Sequence, residues 1–366
     1  MSIIFKNAML ADGSTCDIGV REGVIVEVDT EGKGFDRVIH LQDETYVSPG
    51  WIDLHTHSFP KHKPYCANPD EIGYLTGVTT LIDAGSSGSD DIDEFYQVST
   101  KSKTRVLSFL NISRIGLKRT DELNDLSLIS QSAIVEAVNK YPAFIIGLKA
   151  RMSASVVKEN GIVPLRIARK IATDLQLPIM VHIGSAPPEI NDVLEYLEGG
   201  DILTHCFNEK SNNHIFHNGS KSMNAVKKAL DRNVYFDVGH GTASFSFEIA
   251  RQAKVSNIPF HTISTDIYEG NKNEGPVFNM ATTLTKLYAL GHSLEEVIRS
   301  VTKTPAQIIS RPELGSLDIG TIADLTFFRI EDKPIQLVDS VGTIVNHHCQ
   351  IKHVAVMIGG DYIEFE

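Results

Sequence analysis

The spacing of hydrophobic and polar positions differs between the middle of the chain and its two ends. Residues 1–47 and the region after about residue 314 contain short apolar stretches separated by Gly, Asp and Ser, a pattern typical of β-strands joined by turns. Between these regions, apolar runs alternate with amphipathic stretches, as expected for βα units around a parallel sheet. The pattern therefore predicts β-structure at both ends and an α/β unit between them.

Eight apolar runs in the middle region are candidates for parallel strands. They are GWIDLHTH (50–57), GVTTLIDAG (77–85), RVLSFLNIS (105–113), FIIGLKARM (144–152), LPIMVHIG (177–184), DILTHCF (201–207), NVYFDVGHG (233–241) and FHTISTDI (260–267). Stretches between them, such as Asp121–Lys140 and Pro164–Leu175, have the spacing of helices. Eight strands with intervening helices over about 265 residues predict a (β/α)8 barrel, whose usual length is ~250 residues.

The two ends of the chain resemble each other more than either resembles the middle. The simplest arrangement is an α/β protein in which a TIM-type barrel, residues 49–313, is inserted into a small β-sandwich domain. That domain would be built from residues 1–48 and 314–366.

Composition narrows the range of partners and compartments. The chain has 366 residues and a net charge of −12, which argues against nucleic acid as a partner because phosphate binding needs clustered cations. Four widely spaced cysteines without a CxxC pair favour a reducing compartment. The first residues do not resemble a targeting segment, and no apolar run reaches the ~18 residues that span a bilayer. We therefore expect a cytoplasmic protein that acts on a small molecule, without membrane contact; whether it forms a homo-oligomer is left open.

Polar side chains stand at the carboxyl ends of four predicted barrel strands, where barrel enzymes place their active sites. His55 and His57 end the first strand and, two residues apart, point to the same side. His182 and His205 end the fifth and sixth strands, and Asp266 ends the eighth. Each residue alone has an ordinary explanation, such as a packed histidine or a helix N-cap. Their joint occurrence on strand ends predicts a metal site.

Lys149 lies within the apolar fourth strand, in the sequence FIIGLKAR. Burial disfavours an ammonium and lowers the pKa of an amine, so this lysine is either salt-bridged or neutral. A neutral amine can react with CO2 to form a carbamate, an anionic oxygen donor that could bridge two metal ions. Oxygen and imidazole ligands together suit zinc, and also manganese or iron.

Two further residues are candidates for substrate binding. Arg151 lies two positions after Lys149 on the same face of the strand, where a guanidinium could bind a substrate carboxylate or pair with an acidic residue of a loop. His240, within VGHG at the end of the seventh strand, could hydrogen-bond the substrate, or it could serve in packing or capping.

The order HxH, Lys, His, His, Asp on successive strand ends resembles the amidohydrolase superfamily, especially its binuclear dihydroorotase-like and aminoacylase-like members. The opening SPGWIDLHTH, the segments GLK, VHIG and THCFN, and GTIADLTFF (320–328) carry the resemblance, which covers essentially the whole chain. These segments look most like a bacterial amidohydrolase and deacetylase group whose members are sometimes labelled adenine deaminase or dihydroorotase.

The resemblance implies a metal ligand set and a mechanism. His55, His57 and Asp266 would hold the more buried ion, and His182 and His205 the more exposed one. The carbamate of Lys149 and a hydroxide would bridge the two ions. The hydroxide would attack the substrate carbonyl, with Asp266 as the catalytic general acid and base.

The function expected from these features is a metal-dependent deacetylase or amidohydrolase that contains two zinc ions. It would remove an acyl group, with acetyl as the first candidate, from a small carboxylate-bearing amide or ester. The alternatives are a dihydroorotase-like cyclic amide hydrolase, an adenine deaminase, and a non-catalytic scaffold of the same fold, although such scaffolds lose ligands that are all present here.

Overall fold

Two β-sheets organise the chain in the computed structural model, which describes residues 2–28, 34–41 and 44–365. The strands are β1 (Ser2–Met9), β2 (Thr15–Arg21), β3 (Val24–Val26), β4 (Arg37–His40), β5 (Tyr46–Pro49), β6 (Trp51–Thr56), β7 (Val78–Ala84), β8 (Arg105–Asn111), β9 (Ile145–Met152), β10 (Ile179–Ile183), β11 (Ile202–Thr204), β12 (Tyr235–Asp237), β13 (Leu325–Val338), β14 (Ile344–Ile358) and β15 (Asp361–Glu364).

The helices of the described chain all lie between β6 and β13 in the sequence. They are α1 (Pro69–Ile72), α2 (Ile92–Lys101), α3 (Gln131–Lys140), α4 (Ala154–Val157), α5 (Val163–Leu175), α6 (Ile190–Glu195), α7 (Ser220–Asp231), α8 (Phe247–Val255), α9 (Glu269–Asn273), α10 (Met280–Ala289), α11 (Leu294–Arg299) and α12 (Lys303–Ile308). Short 3-10 turns lie at Tyr74–Thr76, Gly116–Lys118, Leu126–Leu128, Lys158–Asn160 and Pro312–Gly315.

The barrel consists of strands β6 to β12, which lie side by side in chain order and are all parallel. The eighth predicted run, 260–267, is not a regular strand. It closes the barrel through two isolated bridges, Asp237 with Thr262 on one side and Thr56 with Ile267 on the other. The segment turns at Asp266, where φ is +52°, so a continuous ladder cannot form. The predicted barrel is confirmed, with seven strands and one bridging segment.

The other sheet combines both ends of the chain, as the sequence pattern predicted. Its strand order is β15, β14, β13, β5, β1, β2, β3, with β4 paired to β1. The antiparallel pairing of β5 with β13 joins the two terminal regions. A separate apolar core that includes Phe5, Val47, Phe327 and Met357 lies under this sheet.

The segment GTIADLTFF links the terminal sheet to the barrel through one buried carboxylate. Asp324 forms an ion pair with Arg105 at the start of β8, and it accepts a hydrogen bond from the backbone N–H of Gly359 at 2.8 Å. Its carbonyl accepts from the N–H of Gly50, between β5 and β6, at 2.7 Å. This aspartate therefore fixes the point at which the chain passes between the two sheets.

One predicted helix is shorter than expected. The helix predicted over Asp121–Lys140 begins only at Gln131, since Ser130 caps its first turn by accepting from the N–H of Ala133. The helix predicted over Pro164–Leu175 is present as α5. Within the described part of the chain, every helix is too short or too polar to cross a bilayer.

Candidate metal centre

The six side chains expected to bind metal lie together at the carboxyl end of the barrel, where five of them line one cavity and the sixth, His205, is buried beside them. A group of three, His55, His57 and Asp266, has ligand atoms that all lie within 4.8 Å of one another. Asp266 Oδ1 is 3.0 Å from His57 Nε2 and 3.4 Å from His55 Nε2. These distances leave a natural position for one ion between two imidazoles and a carboxylate.

The other three side chains adjoin this group. Lys149 Nζ lies 3.3 Å from His55 Nε2, and His205 Nε2 lies 4.0 Å from Asp266 Oδ2. The ring of His182 packs edge-on against that of His205, with centroids 4.4 Å apart. Lys149 is therefore adjacent to His55, and the rings of His182 and His205 adjoin each other.

Hydrogen bonds fix the tautomers of two of the histidines. Thr204 donates its only hydroxyl proton to Asp237 Oδ2 at 2.7 Å, so His55 must donate from Nδ1 to Thr204 Oγ1, 2.8 Å away. His205 Nδ1 donates to the carbonyl of Gly239 at 2.6 Å. In both rings the lone pair is thus on Nε2, the atom that faces the cluster, as a metal ligand requires.

Burial favours the neutral forms of three histidines and of Lys149 in this cluster. Desolvation, reinforced by neighbouring cationic groups, holds the pKa of His55 and His182 well below the usual value, and burial lowers the pKa of His205 to about 4. Burial also lowers the pKa of Lys149 to about 7. For Asp266, burial acts to raise the pKa, but the hydrogen bond from His57 and the nearby positive charges outweigh it and lower the pKa.

One unpaired atom tests whether these residues fit a metal. His205 Nε2 is buried and has no hydrogen-bond partner among the described residues, a costly arrangement unless a ligand occupies the site. Neutral imidazoles, a carboxylate and a desolvated amine form a donor set that suits zinc or a similar ion. The residues therefore fit a metal centre.

Sequence reasoning missed two buried acids that hydrogen-bond to residues next to the candidate ligands. Asp237 accepts hydrogen bonds from Thr204, Thr262 and Ser264, at 2.7, 2.7 and 2.6 Å respectively. Asp53 accepts from the N–H of Thr265 at 3.0 Å and from the Thr265 hydroxyl. Both acids are buried within apolar strand runs, a signal that could have identified them.

The two glycines of the VGHG segment leave room for the side chains of His205 and Asp266. A side chain at Gly239 would meet His205 Nδ1 at 2.8 Å, and one at Gly241 would meet Asp266 Oδ2 at 2.5 Å; both residues have positive φ.

His240 is fully buried and is not among the residues lining the cavity. Its Nδ1 donates to the carbonyl of Gly241 at 2.9 Å, its Nε2 lies 2.8 Å from Lys286 Nζ, and its ring stacks on Phe245. These contacts favour the packing role considered for His240 over a contact with substrate.

Replacement of Lys286 by methionine is expected to flatten the rise of stability with pH. Lys286 is 1% exposed, and burial lowers its pKa to about 7, opposed in part by Asp339. Above that pH the unfolded chain still binds a proton that the folded protein has lost. Its contribution therefore makes the free energy of unfolding rise with pH, by up to ~1.4 kcal/mol per pH unit, until the ordinary pKa of lysine is reached. Urea unfolding of the wild type and of Lys286→Met from pH 7 to 9.5 measures how the free energy of unfolding changes with pH in each protein. Equal slopes would contradict the lowered pKa of Lys286.

Five of the candidate ligands line a cavity of about 240 Å³: His55, His57, Lys149, His182 and Asp266. Beyond the metal ligands, its lining includes Tyr65, Leu117, Arg151, Ser153, Ser155, Ser185, Lys210, Thr242, Ala243, Ser244 and Tyr268. The hydroxyl of Tyr268 lies 2.8 Å from the hydroxyl of Thr242. Tyr268 is also the N-cap of α9, so Asp266 is not the N-cap of that helix. Cys206, beside His205 in the sequence, is buried in the apolar core.

Arg151 both lines the cavity and forms an ion pair with an acidic residue. Its side chain lines the cavity, with the guanidinium carbon 5.8 Å from the ring centre of Tyr65. Its Nη1 also donates to both carboxylate oxygens of the buried Glu122, at 3.1 and 3.3 Å. The predicted ion pair with an acidic loop residue is thus present, and it balances the charge that the arginine brings to the cavity.

Comparison with known proteins agrees with this geometry. The sequence profile described as the amidohydrolase family matches residues 46–363. A curated protein of Enterococcus faecalis named deacetylase is 42% identical over 360 residues, covering 98% of both chains. A crystal structure described as an adenine deaminase is 41% identical with a TM-score of 0.94, and covers 99% of both chains. One described as a dihydroorotase is 33% identical with a TM-score of 0.92, and the match covers 99% of this chain and 97% of that one.

Three different names therefore accompany one architecture, which is shared over almost the full length of the chain. The barrel and the sheet built from both termini agree with the profile match and with both structures. The protein belongs to the amidohydrolase family and is a hydrolase.

Proposed function

We propose that the protein is a binuclear zinc hydrolase that removes an acyl group, acetyl in the first instance, from a small carboxylate-bearing amide or ester. One observation carries the proposal. Three histidines, a desolvated lysine and an aspartate line a cavity that also has Arg151 and Lys210 in its walls, and the fully buried His205 adjoins Asp266. The likeness to a protein named deacetylase over 98% of both chains supports the choice of acyl group.

The residues divide between two ions. His55, His57 and Asp266 would hold one, His182 and His205 the other, and a carbamate on Lys149 would be shared. The low pKa of Lys149 supports the carbamate, because only the neutral amine reacts with CO2. When bound, the two ions would make a water molecule nucleophilic at neutral pH and polarise the scissile carbonyl.

Asp266 is the proposed general base and acid. Its Oδ1 faces His55 and His57, so its Oδ2 is the oxygen available for proton transfer. The carboxylate accepts a proton from the attacking water and delivers it to the leaving nitrogen or oxygen. The lowered pKa of Asp266 keeps it ionised for the first of these steps. Gly241, which has no Cβ to crowd Oδ2, leaves space around that oxygen.

A screen for activity tests the proposal against the functions named for the similar structures. The zinc-loaded protein is incubated with N-acetyl D- and L-amino acids, acetylated α-hydroxy acids, cyclic ureides and adenine. We expect release of acetate from one or both of the first two groups. Ammonia released from adenine, or ring opening of a ureide without acetate release, would contradict the deacetylase assignment.

A further inference from the structure

The cavity has a second cation, Lys210, whose charge is not balanced. Lys210 is half-buried and lines the cavity. Among the ion pairs of the described residues, none involves Lys210, whereas Arg151 is paired with Glu122. The net positive charge available to a ligand in the cavity wall therefore comes from Lys210.

The acid next to Lys210 in sequence is held elsewhere. Glu209 Oε2 accepts a hydrogen bond from the hydroxyl of Ser246 at 2.5 Å. Ser246 is the N-cap of α8, so the positive end of that helix also favours the glutamate where it is. This arrangement keeps the carboxylate adjacent in sequence from neutralising Lys210.

The backbone of Lys210 is tied to the metal centre. Asn208 is fully buried; its Nδ2 donates to the carbonyl of His205 at 3.0 Å, and its Oδ1 accepts from the N–H of Lys210 at 3.0 Å. The carbonyl of Lys210 in turn accepts from the N–H of Asn213 at 3.0 Å. Two hydrogen bonds through Asn208 thus connect the backbone of Lys210 to that of His205, a proposed metal ligand.

The rest of the loop is fastened to the neighbouring strand end. Asn213 donates to the carbonyls of Gly184 and Pro188, at 2.7 and 3.0 Å, and accepts from the N–H of Ile190 at 2.7 Å. A backbone held in this way needs little ordering when a ligand binds, which favours selective recognition.

We propose that Lys210, and not the neutralised Arg151, recognises the substrate carboxylate, which makes it the specificity-determining residue of the site. This inference rests on the proposed function for the identity of the substrate. Arg151 then acts as a positioning residue that holds Glu122 and the wall beside Tyr65. The hydroxyls of Ser153, Ser155 and Ser185 in the same lining offer neutral donors to the carboxylate or to the acyl linkage.

The test compares carboxylate substrates with their uncharged analogues. For each acetylated acid of the screen, kcat and KM are measured alongside the corresponding primary amide. In Lys210→Met we expect kcat/KM for the acids to fall about 10- to 100-fold, mainly through KM, because a charge-assisted hydrogen bond is lost. The values for the amides should change less than about threefold, and Lys210→Arg should recover part of the loss.

Two controls separate this role from general damage. Lys227→Met removes an exposed lysine of α7 and should match the wild type. Arg151→Met combined with Glu122→Gln removes the ion pair without leaving a buried charge, and it should keep the preference for acids over amides. A Lys210→Met protein with an unchanged preference, or a double variant that alone loses it, would overturn the proposal.

A binding measurement keeps the inference separate from the proposed function. If the wild type releases acetate from none of the acids, the proposed function fails. Calorimetric titration of the zinc-loaded proteins with N-acetylalanine and its primary amide then decides the role of Lys210. A preference for the anion that disappears in Lys210→Met supports the inference. An equal preference in both proteins, or no binding to the wild type, refutes it.

Discussion

Replacement of Lys149 by alanine is expected to reduce the metal content from about two ions per chain to one or fewer and to abolish hydrolysis. The side chain is 1% exposed and lies 3.3 Å from His55 Nε2, so its loss removes the proposed shared ligand. The remaining ligands include only one carboxylate, which leaves two divalent ions insufficiently neutralised. The measurement is metal analysis after expression with zinc, together with an assay on the best substrate of the screen.

Short carboxylic acids should restore part of both the metal content and the activity, because an added carboxylate can occupy the place of the carbamate. Lys286→Met is the matched control, since among the described residues Lys286 is the other lysine that is 1% exposed, and it lies outside the cavity lining. We expect that control to keep its metal. Undiminished metal content in Lys149→Ala would show that Lys149 is not a ligand.

Replacement of Asp266 by asparagine is expected to lower kcat by ~10²- to 10⁴-fold, the usual contribution of general acid and base catalysis. The amide retains an oxygen at the metal site but cannot accept and return a proton. The defect should therefore be in kcat more than in KM. Steady-state kinetics, with metal analysis of the same samples, separates loss of catalysis from loss of ions.

Asp192→Asn provides the control for a change of charge, because Asp192 is exposed on α6 and is not in the cavity lining. It should match the wild type. If Asp266→Asn retained near-normal kcat, the proton-transfer role would have to belong to another group.

The residues that sequence reasoning could place are those whose position follows from strand periodicity. Side chains two positions apart, such as His55 and His57 or Lys149 and Arg151, share a face, and all parallel strands present their carboxyl ends on one side of the barrel. This argument predicts that His182, located in a different strand, lies near the same centre. It therefore yields both the fold and the set of candidate ligands.

The residues that it missed or misplaced depend on loops and partners that periodicity does not encode. Glu122 reaches Arg151 from the segment between β8 and α3, and Lys210 enters the cavity through a loop shaped by side-chain hydrogen bonds. His240 follows β12 as expected, but the turn at Gly239 and Gly241 directs it toward Lys286 instead of the cavity. The positive φ of Gly239 and Gly241 determines where the His240 side chain points, and hydrophobic spacing does not predict this backbone conformation.

Anomalous X-ray scattering at the zinc edge, on crystals of the zinc-loaded protein, tests the central claim most directly. We predict two peaks, one among His55, His57 and Asp266 and one beside His182 and His205, with density for a carboxylate continuing from Lys149 Nζ between them. A crystal without a peak in this cluster, or with zinc bound only at the protein surface, would contradict the account.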